Sequence, residues 1–202
     1  MKCPVVLPLF LAFAWGTEAI RLRNIKLRKP TLTLSVCGIL LATLTAQLLF
    51  PRLLVLFRRD AIRIFAGEWW RIASALIFQD GGLIGGLTNI AALFWIGNAV
   101  EQVRSRRDWL LIGFAGALIA ECFALRWQPV GAGNSVFTCS LAGSLIFANS
   151  FSRASTASRI LQVAAILSAL FLAAGRDLHG VAGISGTILG LRITYHAGRQ
   201  LS

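Results

Sequence analysis

Charge is what this sequence has least of. Charged side chains make up 14% of its 202 residues, against about 25% in an average soluble domain. Only eight are acidic, and the charges sit in short islands between long apolar runs. Histidine is nearly absent as well. With only His179 and His196, a zinc site built on paired histidines is not expected. The four cysteines, at 3, 37, 122 and 139, have no CxxC spacing and mostly lie inside apolar runs. They read as small packing residues, neither a disulfide frame nor a metal site. No soluble domain, internal repeat or low-complexity tract is visible, and no cofactor is called for.

What is present is hydrophobicity: 56% apolar residues and a mean hydropathy of +0.72. This is the pattern of a polytopic all-α membrane protein, of a length that suits one bundle. A net charge of +12 would suggest nucleic acid in a soluble protein. Here arginine in the loops sets topology and meets anionic membrane lipid, so no nucleic-acid partner is expected.

A span needs about 20 mainly apolar residues. Six runs qualify, at roughly 31–50, 83–103, 109–126, 135–151, 159–175 and 179–196. The fourth and sixth are short or rich in Gly and Ser, so their neighbours should be helices rather than lipid. The chain divides into an N-terminal apolar segment with a basic stretch (1–30) and a six-span domain (31–198). Within the first, the run 4–16 is open between a signal-like anchor, an extra span and a start codon placed too early.

Arg21, Arg23, Lys26, Arg28 and Lys29 put the start of the first span in the cytoplasm. Alternation then places 104–108, 152–159 and the C-terminus inside, with Tyr195 and His196 near the inner surface. Outside fall 51–82, 126–133 and 175–177. The outer segment still holds Arg52, Arg58, Arg59, Arg63 and Arg71, so the rule is obeyed only in part. Segment 51–82 carries "GEWWRIASALIF", whose tryptophans suit a structure lying in the membrane interface.

Three polar residues then fall at one depth. Asn89 lies about two turns into the second span, Ser135 opens the fourth and His179 opens the sixth. His179, Gly183, Gly186 and Gly190 share one side of a helix, as do Ser135, Cys139 and Ala142, with Gly143 beside them. Two small-residue stripes let helices pack closely. If they face each other, the Ser135 hydroxyl meets the His179 imidazole, the pairing a serine nucleophile requires. An oxyanion would find donors in the unpaired first N–H groups of the fourth span, reached through the Gly131–Asn134 loop, and in the Asn89 amide.

These segments resemble the rhomboid family of intramembrane serine proteases, from about Gly67 to Gly190. "GEWWRIASALIF" resembles the family's first outer loop. "GGLIGGLTNIAALFWIGNAVE" resembles the start of its second span through the G-x-x-x-E pair Gly97 and Glu101. "GNSVFTCSLAG" resembles the nucleophile stretch, and "HGVAGISG" the His-led stripe. The resemblance implies a six-helix rhomboid-like bundle with an interfacial first outer loop. It also implies Ser135 as nucleophile and His179 as general base. Asn89 and the backbone N–H groups of Asn134 and Ser135 would form the oxyanion hole. A transmembrane protein substrate would enter from the side, in a prokaryotic inner membrane.

The chain departs from the family pattern at four places. Val136 stands where the motif has Gly after the nucleophile. Gly85 and Asp80 replace common histidines, and Cys139 replaces an aromatic that often packs on the catalytic His. These departures keep a rival reading open, a rhomboid-fold pseudoprotease that binds membrane clients. A small transporter or channel is a further class, and the spans offer it little beyond Glu121. Ser140 and Ser144 are alternative nucleophiles, while Ser185 reads as packing. Glu121 is expected to be neutralised by Arg126, and Glu101 to pair with an arginine or a helix end. Asp177 is expected to cap the sixth helix rather than orient the imidazole. Client, organism and oligomeric state stay open.

Overall fold

The computed structural model describes residues 28–146 and 156–199, the last of these without the side chains of 158 and 194–199. The apolar run 4–16, the basic residues 21–26, the end of the fourth run and the side chains of Tyr195 and His196 lie outside the described residues.

Within the described residues each of the six apolar runs contributes a helix: α1 (Thr31–Leu49), α5 (Gly82–Val103), α6 (Arg106–Trp127), α7 (Ser135–Leu145), α8 (Thr156–Ala174) and α9 (Leu178–Arg199). Three of them, α1, α5 and α6, are long and apolar enough to cross a membrane. The apolar stretches of the others, Ser135–Leu145, Arg159–Ala174 and Leu178–Ile193, are shorter. Between α1 and α5 lie three short helices, α2 (Arg52–Phe57), α3 (Ala61–Phe65) and α4 (Trp70–Ser74). The chain is not wholly helical. Strand β1 (Arg59–Asp60) pairs antiparallel with β2 (Val130–Gly131), Arg59 opposite Gly131 and Asp60 opposite Val130.

Helix α7 is the centre of the bundle. Every residue from Val136 to Leu145 is buried, and α5, α6 and α9 pack around it. That fits its composition, since small residues let three neighbours approach at once. A β-carbon on Gly116 of α6 would overlap the Ser140 side chain, and one on Gly113 the Phe137 ring. The core runs through Leu93, Val100, Trp109, Ile112, Ala117, Leu141 and Ala182.

The end of α5 also holds the start of α1. A helix opening leaves its first N–H groups without intrahelical partners. Glu101 supplies acceptors from another helix: Leu32 N–H donates to Oε1 (3.1 Å), and Thr33 N–H and Oγ1 donate to Oε2 (2.9 and 2.8 Å). Arg106 Nε lies 3.9 Å from the same carboxylate. Gly97, one turn earlier, lets Thr33 and the Trp109 ring close on α5, and Trp109 Nε1 donates to its carbonyl. The G-x-x-x-E pair is thus a helix junction.

Three of the five arginines of segment 51–82 serve the fold. The Arg71 side chain is buried and donates to Glu68 Oε2 and to the carbonyls of Val55 and Arg58. Arg59 is buried against Glu121, Nη1 to Oε2 at 2.5 Å, and its Nε donates to the Gln128 carbonyl. Arg63 pairs with Asp60 and Glu68. The partner of Glu121 is therefore Arg59 and not Arg126, because the β1–β2 pairing carries Arg59 across to α6. The indoles of Trp69 and Trp70 stay outside, 65% and 54% exposed.

Candidate active site

The loop before α7 is sewn to segment 51–82. Ala61 N–H donates to Pro129 O, Asp80 N–H to Ala132 O, Ala132 N–H to Asp80 Oδ2 and Gly133 N–H to Ala75 O, at 2.8–3.2 Å. Ser135, the first residue of α7, is half-buried at the end of that anchored loop.

The opening of α9 is held as tightly. At the end of α8, Arg176 adopts a left-handed conformation (φ 59°), and Asp177 N–H donates back to the Leu172 carbonyl (2.9 Å). This closure satisfies carbonyls that a helix end leaves open. Asp177 then caps α9, its Oδ1 accepting from His179 N–H at 2.9 Å.

Across the α7–α9 contact, Ser135 Oγ lies 2.9 Å from His179 Nε2. On the other edge of the ring, His179 Nδ1 lies 2.6 Å from Asp177 Oδ1. Asp177 therefore does more than cap: one carboxylate oxygen serves both the helix N–H and the imidazole. The spacing of two residues at a helix start brings the side chain back over its own first turn.

Backbone proximity makes the contact possible. On α9, a β-carbon on Gly186 would overlap the Ser140 carbonyl, and one on Gly190 would press on Ser144. On α7, a β-carbon on Gly143 would overlap the Gly183 carbonyl. The α9 stripe meets α7 at Gly186 and Gly190 as its spacing predicts. The α7 seam, however, is Ser140, Gly143 and Ser144, rotated from the expected Ser135–Cys139–Ala142 line. Ser135 reaches His179 because both stand at helix starts, beyond the tight part of the seam. Cys139 is buried in the core with Ala142.

The alternative serines are engaged elsewhere. Ser140 Oγ donates to the Ile112 carbonyl and Ser144 Oγ to Leu141, both at 2.7 Å. Ser185 is buried, as packing would have it.

Asn89 and Asn134 sit together, joined by Gln79, which no motif in the sequence marks. Gln79 is fully buried. Its Oε1 accepts from Asn89 Nδ2 (2.9 Å), and its Nε2 donates to Asn134 Oδ1 (2.7 Å). Asn134 Nδ2 donates to the Asn89 carbonyl and Thr138 Oγ1, both at 3.3 Å. Gln47 of α1 fixes the Gln79 backbone, accepting from its N–H (2.9 Å) and donating to its carbonyl (2.6 Å). The one hint in the sequence is an amide among apolar neighbours just before the first outer segment, Gln47, and another near its end, Gln79. No periodicity links them, because Gln79 lies outside any helix or strand.

Gly133 completes the geometry. A β-carbon there would lie 3.5 Å from Asn89 Nδ2, 3.6 Å from Gln79 Oε1 and 3.6 Å from Ser135 Oγ. The missing side chain leaves a small polar space beside the serine hydroxyl. Among the described residues, the backbone N–H groups of Asn134 and Ser135 have no acceptor. A hydroxyl with an adjacent base and nearby amide donors can support acyl transfer. Among the described residues no group of three His, Cys, Asp or Glu side chains could hold a metal ion.

The chain matches no protein-family profile, no curated protein and no solved structure.

Proposed function

We propose that this chain is a rhomboid-type intramembrane serine protease, a six-span protein of a prokaryotic cell membrane that cleaves transmembrane segments of other proteins. The observation that carries the reading is the 2.9 Å contact between Ser135 Oγ and His179 Nε2, made by the first turns of two helices. In the mechanism, His179 Nε2 takes the hydroxyl proton as Oγ attacks the scissile carbonyl. The oxyanion forms in the space beside Gly133. It accepts from the N–H groups of Asn134 and Ser135 and from the second N–H of the Asn89 amide, the first being held by Gln79. His179 then protonates the leaving amine, and water hydrolyses the acyl-enzyme by the reverse proton path. No metal or cofactor enters these steps.

The rival reading is a binder of membrane clients with little or no turnover. Val136 beside the nucleophile and the Asn89 amide already bonded to Gln79 favour it. One experiment separates the two. The reconstituted protein is given a panel of single-span substrates and a fluorophosphonate probe. Cleavage and labelling lost in Ser135→Ala and in His179→Ala support the protease. Client binding equal in wild type and Ser135→Ala, with no wild-type turnover, supports the binder. Labelling that survives Ser135→Ala but not Ser140→Ala would move the nucleophile.

A further inference from the structure

We infer that Asp177 is a positioning residue for His179, making the pair a Ser135–His179–Asp177 triad. The inference rests on the protease reading above. Asp177 Oδ1 lies 2.6 Å from His179 Nδ1, on the ring edge opposite the one that faces Ser135. A carboxylate can only accept hydrogen bonds. The proton of the neutral ring is therefore drawn to Nδ1, and Nε2 keeps its lone pair toward the serine hydroxyl. That is the tautomer a general base needs, and the anion also stabilises the imidazolium that forms.

Rigidity supports the assignment. The Asp177 backbone is fixed on both sides, its N–H donating to Leu172 O (2.9 Å) and its carbonyl accepting from Gly180 N–H (3.2 Å). Its Oδ1 is fixed again by the His179 backbone N–H. The carboxylate therefore meets the ring without the entropy cost of ordering a free side chain. Both side chains are partly exposed, His179 at 21% and Asp177 at 28%. Water screens the pair, so the effect should fall below the roughly 10⁴-fold seen when a deeply buried triad carboxylate is replaced by its amide.

Capping and orienting can be separated, because Ser and Asn cap helices about as well as Asp. Asp177→Ser and Asp177→Asn, full length and in lipid nanodiscs, keep the α9 cap while removing the anion. With a fluorophosphonate probe, the maximal labelling rate of Ser135 is expected to fall on the order of 10²-fold or more, with the probe's half-saturating concentration unchanged. The chain has two histidines, so histidine-selective ¹⁵N labelling, with His196→Asn for assignment, reads the His179 ring directly. Wild type should carry its proton on Nδ1, and Asp177→Ser should shift it toward Nε2. Rates within about threefold of wild type in both variants, or a wild-type ring protonated on Nε2, would overturn the triad. A wild type unlabelled at Ser135 would overturn the protease reading itself, while the ring spectra still report whether Asp177 sets the tautomer.

Discussion

Asn89 and Asn134 are bridged by one buried amide: Gln79 accepts from Asn89 Nδ2 at 2.9 Å and donates to Asn134 Oδ1 at 2.7 Å. The bridge decides where the Asn89 amide points. Gln47 holds Gln79 through its backbone only, so Gln79→Ala frees Asn89 Nδ2 and Asn134 Oδ1 and spares that anchor. Loss of one oxyanion donor costs on the order of 10²–10³ in rate. A single-turnover cleavage assay should show a fall of that order. A rise would mean that Gln79 sequesters the amide, as the binder reading requires.

Gly186 lies two helical turns from His179 and carries no side chain of its own. A β-carbon there would nevertheless overlap the Ser140 carbonyl and push α9 off α7. Gly186→Ala should destabilise by about 1–3 kcal/mol, as overpacking does, and should abolish Ser135 labelling by separating the hydroxyl from the imidazole. Gly85→Ala is the control, because a β-carbon there meets open space. Thermal unfolding in detergent, run beside the labelling assay, reads both effects.

The Arg59–Glu121 pair is buried on both sides, with side-chain exposures of 5% and 2%. Removing one partner strands a charge, at about 3–5 kcal/mol, whereas replacing both by apolar residues is often tolerated. Arg59→Met and Glu121→Leu should each lower the unfolding midpoint sharply, and the double variant should recover most of the loss. Additive losses in that cycle would mean the two residues act separately.

Val136, next to Ser135, stands where the rhomboid motif that this stretch resembles has Gly. Its side chain is 3% exposed and belongs to the hydrophobic core. Val136→Gly should therefore cost roughly 1–3 kcal/mol from a lost core contact and a helix glycine. The labelling rate should stay within about threefold of wild type. A large gain in rate would show that the valine obstructs the site.

Much of the helical framework was legible beforehand. Apolar runs beginning at 31, 83, 135 and 179 correspond to helices starting at Thr31, Gly82, Ser135 and Leu178. The glycine stripe on α9 was legible too, since 3.6-residue spacing places those residues on one face whatever packs there. The position of Asp177 before the last apolar run predicts a helix cap, and Asp177 is one. The expectation that it does not also orient the imidazole is overturned by the 2.6 Å contact to Nδ1, because ring orientation depends on Ser135 of α7, far away in sequence.

What the sequence by itself determined is local: where apolar helices begin, which side of α9 is smooth, and that a serine and a histidine open two of them. Only the tertiary structure decided how α7 is rotated onto α9, that Arg59 rather than Arg126 meets Glu121, and that Gln79 joins the two asparagines. The division has a physical cause. Periodicity records the faces of one helix relative to itself. The rotation of a neighbour, and the reach of a side chain from an irregular segment, are settled by steric fit and hydrogen bonding between segments far apart in the chain.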